Sequence, residues 1–353
     1  MSMAVVCPGA VASRCFHERD MDYIELTKAL INQESVTGNE RACAELIAQR
    51  LRDRGYAVEL EPVANGRANV FASDGSPEIV FSTHLDTVPP FFPAREDDRF
   101  IYGRGACDAK GILAAQVAAA ERLRAEGLRN LGLLFVVGEE TLSDGAQTAN
   151  RNPRGSRFLI NGEPTDNKLI LATKGFRRVD VIARGRAAHS AYPQLGESAV
   201  EKLLDALAGL RRLPLPSDPL LGPCTMNIGV ISGGCAANVI PDRAEAQIVF
   251  RTVPGCEALW PEVERILGAR CEFTSVRNTM PLRMEKLDGF ETGVAAFTTD
   301  LPNLTAWGRP LLLGPGTIEV AHTENERIAK ADLARAVELY CRMVHELKKR
   351  SAD

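Results

Sequence analysis

The segment LGLLFVVG, residues 131–138, is apolar throughout and runs straight into two adjacent glutamates, Glu139 and Glu140. A strand with no polar position offers no face to water, so it belongs inside a sheet covered on both sides. A similar run, EIVFSTH, ends in His84. Helical stripes flank these runs: Cys43, Leu46, Ile47 and Leu51 before them, and Leu113, Val117, Ala120 and Leu123 between them. Strands alternating with amphipathic helices predict an α/β architecture with a mixed, mostly parallel sheet.

With 353 residues the chain exceeds what one small core accommodates, so two domains are expected. Hydrophobic residues at 45% and charged residues at 25% exclude a disordered, fibrous or coiled-coil chain. A formal net charge of −4 gives no basic field, which argues against nucleic acid as a partner. No apolar run approaches the roughly 18 residues of a membrane-spanning helix, so no membrane association is expected. The nine cysteines are scattered, without a CxxC pair, as in chains kept reduced in the cytoplasm.

Regular patterning begins at Met21, with Tyr23, Leu26 and Leu30 at helical spacing, and residues 1–20 read as an unstructured extension. A second helix is announced by Thr37-Gly38-Asn39 as its cap and stopped by Gly55. From Lys174 the rhythm changes. RRVDVIARG reads as a strand, Val200, Leu203, Leu204 and Leu207 mark a helix, and TMNIGVIS and AEAQIVFRT are two more strands. A helix at Leu259, Val263 and Ile266 and the strand RCEFTSV complete a ferredoxin-like βαββαβ order. Residues 175–280 are thus expected to form a lid inserted into a discontinuous domain of residues 21–174 and 281–353.

Chemistry-bearing residues cluster where elements end. His84 and Asp86 close one buried strand, and the carboxylate is close enough to fix the imidazole tautomer. Asp108 stands between glycines ahead of a helix, where it could equally be a simple cap. Glu139 and Glu140 leave water together, which is costly unless a cation relieves them; their side chains diverge, so one can ligate while the other faces a water. Glu163 in INGEPT ends another strand, and His322 in GPGTIEVAHTENE precedes the final helix. Two histidines and several carboxylates in these places suit two divalent ions, zinc foremost, with cobalt or manganese as alternatives.

In these motifs the chain resembles the M20 family of metallopeptidases and deacylases, in particular the group of acetylornithine deacetylase and succinyl-diaminopimelate desuccinylase. The resemblance runs from about residue 21 to the C-terminus. It implies that His84 and His322 each hold one metal, that Asp108 bridges them, and that Glu140 and Glu163 complete the shells. It also implies that Asp86 orients His84 and that Glu139 is the general base. On the lid it implies that His189 in GRAAHSAYP polarises the scissile carbonyl, and that Asn238 in ANVIP and Arg251 in RTVPG hold the substrate. Family members commonly carry an aspartate two residues before the lid arginine; here that residue is Val249. His17 and His345 match no motif and read as surface residues.

The expected activity is removal of an acyl group from an N-acyl amino acid, with a dipeptidase or aminopeptidase as the alternative. The expected partners are that small substrate, or a short peptide, and a second copy of the chain bound through the lid.

Overall fold

The computed structural model describes residues 22–352. The expected extension at 1–20, the start at Met21 and His17 lie outside the described residues. Helix α1 (Tyr23–Asn32) is capped by Asp22, whose side chain accepts the N–H groups of Ile24 and Glu25. Helix α2 (Arg41–Asp53) differs from the expected capping: its N-cap is Glu40, whose carboxylate turns back to accept the Gly38 N–H. Gly55, at φ +81°, lets the chain leave α2 in a conformation that side chains disfavour.

Strands β1 (Ala57–Pro62), β2 (Ala68–Ser73) and β3 (Ile79–His84) follow, then α3 (Lys110–Ala125), β4 (Leu131–Val136), α4 (Asp144–Arg151) and β5 (Phe158–Asn161). Every residue of β3, β4 and β5 is buried, as the unbroken apolar runs require.

The lid runs β6 (Gly175–Arg184), α5 (Ala199–Leu210), β7 (Thr225–Gly233), β8 (Arg243–Thr252), α6 (Trp260–Gly268) and β9 (Glu272–Thr279). Its sheet has the order β7–β8–β6–β9, antiparallel throughout, which is the ferredoxin-like arrangement. Strict alternation divides its two faces. Val179, Val181, Ile248 and Phe250 pack with Leu203, Leu207 and Val263 of the two helices in a core of their own. The other face carries Phe176, Arg178, Val249, Arg251 and Arg277.

The chain then returns to the first sheet as β10 (Arg309–Leu312) and ends in α7 (Lys330–Ala352). The central sheet has the order β1–β2–β4–β3–β5–β10, with β4, β3, β5 and β10 parallel and β1 and β2 antiparallel. Phe81, Leu133, Phe135 and Ile160 face the core shared with α1, α2, α3 and α7. Val80, Leu134 and Leu159 face the opposite core with Phe71 and Trp307. Each such fully buried side chain contributes roughly 1.5–3 kcal/mol, and the resulting rigidity fixes the strand ends. No helix among the described residues is long and apolar enough to cross a membrane.

Candidate metal centre

Register decides what meets at the edge of the central sheet. His84 pairs with Val136 across β3 and β4, and Ser82 pairs with Asn161 across β3 and β5. The three strands therefore end nearly level, and the residues just beyond them, Glu139, Glu140 and Glu163, gather beside His84. Ligands of open α/β sheets are expected at these carboxyl ends. Asp108 arrives on the loop before α3. It does not cap that helix, whose N-cap is Ala109. His322 lies on a turn at φ +64°, separated from α7 by the short strand Arg327–Ala329.

Asp108 joins two groups of side chains. Its Oδ1 is 2.9 Å from His84 Nε2, and its Oδ2 is 3.2 Å from His322 Nε2. His84 Nε2 is also 3.9 Å from Glu163 Oε2, and His322 Nε2 is 3.0 Å from Glu140 Oε1. One donor atom each from His84, Asp108 and Glu140 lie within 4.8 Å of one another, close enough to share an ion.

Asp86 meets His84 through both its backbone and its side chain. The nearest oxygen to His84 Nδ1 is the Asp86 backbone carbonyl at 3.0 Å, with the carboxylate at 3.6 Å. The N–H at Nδ1 donates to that carbonyl and turns Nε2 toward the Asp108 carboxylate, where it would offer a lone pair to an ion once its proton is lost. The Asp86 carboxylate also accepts the backbone N–H groups of Glu139 and Glu140, each at 3.1 Å, and the Thr37 hydroxyl at 2.8 Å. It therefore holds the loop on which both glutamates stand.

Glu326, the last residue of the GPGTIEVAHTENE segment but given no role from sequence, organises the Asp108 loop. Its Oε1 accepts the N–H groups of Gly105, Cys107 and Asp108 at 2.9, 3.2 and 3.2 Å, and its Oε2 pairs with buried Arg104 at 2.6 Å. Gly314 of the GPG segment allows close approach on the other side. A Cβ there would stand 2.3 Å from the Glu163 carbonyl oxygen.

The electrostatics are those of an anion cluster. Burial pushes Glu139 well above the ordinary carboxylate range, and the charge of Asp300 adds to it. Burial likewise raises Glu163 and Glu140, and it brings Asp300 to about 7. Burial opposes ionisation of Asp108 too, but hydrogen bonds from His322 and His84 outweigh it and hold that carboxyl low. Hydrogen bonds to Asp108 and Glu140 lift His322 to about 10. Glu163 Oε1 is buried without a hydrogen-bond partner. Imidazole nitrogens and carboxylate oxygens in this surplus fit borderline or hard divalent cations, which would relieve the repulsion and occupy the orphaned oxygen.

A cleft of about 470 Å³ separates this centre from the bare face of the lid sheet. Asp108, Glu139, Glu140 and His322 line its floor, and Arg178, Arg251 and Arg277 its roof. Arg251 thus lines the same cleft as the centre, whereas His189 and Asn238 do not. They sit together at the exposed surface, where His189 pairs with Val239 and the Ser190 N–H donates to the Asn238 carbonyl at 3.0 Å. Val249 lies opposite Arg178, whose guanidinium is satisfied by Asp180 at 2.8 and 2.9 Å. His345 pairs with Glu126 at 2.9 Å, outside the cleft.

Sequence reasoning missed Arg178, Arg277, Asp300 and Glu326. Strand alternation against Val179 and Val181 already places Arg178 off the lid core. Glu326 closes the GPGTIEVAHTENE segment, whereas nothing local marks Arg277 or Asp300.

An α/β core, a ferredoxin-like lid and a histidine–carboxylate centre at the cleft floor define the metallohydrolase class. The chain belongs to peptidase family M20/M25/M40, whose family model matches residues 80–346, and with it to the hydrolases of amide bonds. A probable carboxypeptidase of Aspergillus fumigatus is 38% identical over 379 residues, covering 92% of this chain and 86% of its own. Among solved structures, the aminopeptidase PepT of Bacillus cereus matches with a TM-score of 0.77 at 21% identity, over 92% of this chain and 98% of its own. The Bacillus subtilis YXEP protein, described as a dinuclear metal binding peptidase, matches with a TM-score of 0.64 at 16% identity, over 92% and 98%.

Proposed function

We propose that this chain is a two-metal amidohydrolase that cleaves an amide bond whose amine side is an amino acid with a free α-carboxylate. The reading rests on one observation above all. Arg251 points a guanidinium with no carboxylate partner among the described residues into the cleft that holds the histidine–carboxylate centre. A cation left unpaired opposite a reactive centre is a binding group for a substrate anion.

His84, Asp108 and Glu163 would hold one ion and His322, Asp108 and Glu140 the other, with zinc the first candidate because imidazole and carboxylate ligands suit it. Bound divalent ions would supply Lewis acidity and a lowered pKa for water. Glu139 belongs to neither group. Its carboxylate takes the proton of the attacking water and returns it to the leaving amine nitrogen. The raised proton affinity that burial gives Glu139 suits that exchange. Arg251 holds the α-carboxylate and so fixes which carbonyl meets the water.

Acetylornithine deacetylase-like specificity is the narrower form of this reading, carried by the GEPT and GPGTIEVAHTENE segments. An exopeptidase of the carboxypeptidase, dipeptidase or aminopeptidase kind is the second reading, favoured by the name of the fungal relative. Both need a free carboxylate if Arg251 reads it. We also keep a homodimer through the lid, with His189 and Asn238 serving the partner's cleft. Their exposure away from their own cleft supports it, as do Val230 and Ile231, about half exposed on edge strand β7. The seven described cysteines are all unpaired, in keeping with a cytoplasmic setting.

The test is product analysis on N-acetyl and N-succinyl amino acids, on dipeptides, and on the α-amides of each. The free acids should turn over and their α-amides should not. Equal rates for acids and amides would remove Arg251 from its role and the reading with it.

A further inference from the structure

The roof of the cleft carries more positive charge than one α-carboxylate can neutralise. Arg178 is answered by Asp180 on its own strand. Among the described residues Arg251 has no ion pair, and Arg277 is held only by neutral oxygens: Nη1 donates to the Thr141 carbonyl at 2.7 Å and Nη2 to the Ser143 hydroxyl at 3.1 Å. Three of the five guanidinium N–H groups of Arg277 therefore remain uncommitted. The two arginines share the ring of Phe176, their guanidinium carbons lying 5.0 and 5.6 Å from its centroid. They also repel: burial first, and then the charge of Arg277, depress the pKa of Arg251. Asp300 is the buried carboxyl whose charge senses Arg277, but no ion pair joins them.

Two half-buried cations with no paired anion between them form an unfinished electrostatic site. A substrate with one carboxylate at Arg251 leaves Arg277 uncompensated. A second carboxylate on the same residue completes both. The carboxylates of the cleft floor all belong to the proposed metal centre and its base, so the cleft offers no separate anion for a cationic side chain.

We propose that Arg277 is a specificity-determining residue that binds the side-chain carboxylate of the substrate. The preferred amine-side residue is then acidic, as in N-acyl-aspartates, N-acyl-glutamates or peptides ending in either. This inference rests on the amidohydrolase reading for its chemistry, but its binding half stands without it, and it replaces ornithine by an anionic residue.

The experiment compares N-acetyl-L-glutamate, N-acetyl-L-glutamine and N-acetyl-L-ornithine on the zinc-loaded chain, on Arg277→Gln and on Arg277→Lys. The wild-type chain should favour glutamate over glutamine on the order of 100-fold in kcat/KM. Arg277→Gln should bring that ratio to about 1, and Arg277→Lys should restore part of it. Because Arg277 also braces the Thr141–Ser143 turn, absolute rates will fall in both variants; the ratio is the readout that bracing does not move. A wild-type preference for glutamine or ornithine, or a ratio that survives Arg277→Gln, overturns the inference while turnover itself upholds the amidohydrolase reading. If none of the three is hydrolysed, calorimetric binding to the metal-free chain decides. A glutamate preference erased by Arg277→Gln upholds the subsite and leaves the amidohydrolase reading to the N-succinyl and dipeptide substrates. Equal affinities, or no binding, overturn the subsite.

Discussion

Glu326 grips the backbone of Asp108 across 218 residues of sequence: its Oε1 accepts the Asp108 N–H at 3.2 Å. His322 stands only four residues before Glu326, so one short segment sends a ring to one Asp108 oxygen and a carboxylate to the Asp108 backbone. The loop carrying the proposed bridge and the turn carrying a proposed ligand are thus fastened to each other. Glu326→Gln should keep the fold but weaken zinc binding roughly 10–100-fold, the usual effect of losing an outer-shell partner. Competition with a chromophoric chelator measures it. Unchanged affinity would mean that Glu326 serves the fold alone.

About two divalent ions per chain are expected, as the two groups of side chains meeting at Asp108 would take one each. A chelator should abolish activity, and zinc, cobalt or manganese should restore it. Asp108→Ala should lower both occupancies together, whereas Glu163→Ala should lower one. Elemental analysis showing full occupancy in Asp108→Ala would rule out a bridge.

Glu139 and Glu140 are adjacent but differently placed: only Glu140 reaches His322, at 3.0 Å. Glu139→Ala should retain metal and lose on the order of 10²–10⁴ in turnover, the share of a general base. Glu140→Ala should lose metal. The same outcome in both variants would contradict the division of labour.

Protons and metal should compete. His322 is lifted to about 10 by Asp108 and Glu140, and burial raises Glu139 and Glu163, so the metal-free folded state holds more protons than the unfolded chain. For groups raised on folding, the linked stability is present below the unfolded pKa and is lost as pH climbs through the folded one. The metal-free chain should therefore lose thermal stability from the ordinary histidine value of about 6.5 up to about 10. Zinc displaces those protons, so its stabilising shift in Tm should grow over the same range. Melting curves with chelator and with zinc at stepped pH test this; a zinc shift that shrinks with rising pH would refute the competition.

His189 is exposed and lines no part of its own cleft. If it completes the cleft of a partner, Glu139→Ala and His189→Ala, each nearly inactive alone, should regain activity when their subunits exchange, because one hybrid site carries both residues. Exchange shown by mass spectrometry without recovered activity would confine His189 to its own chain or remove it from the reaction.

The elements themselves were readable from local pattern. Unbroken apolar runs identify β3 and β4 as buried strands, and alternation along RRVDVIARG carries the signal, unused in the sequence reading, that sets Arg178 apart from Val179 and Val181, because side-chain direction follows the backbone period. The histidines and acids just past those runs were legible for the same reason, since an ionisable residue ending an apolar strand stands out in any window. Capping was less legible: Thr37-Gly38-Asn39 is a good cap by composition, but Glu40 takes the position and turns its carboxylate to Gly38.

What the chain's own order determines, then, is the identity and spacing of the reactive groups and the kind of element each ends. Only the tertiary structure decides which of them meet. Whether Asp108 caps α3 or faces two histidines depends on Glu326, 218 residues away, and on the level ends of three parallel strands. Whether Arg277 is a solvated strand residue or a cation over the cleft depends on how the lid sheet turns its bare face. Local sequence carries no term for such distant neighbours: charge interactions and desolvation act through space, and folding alone sets those distances.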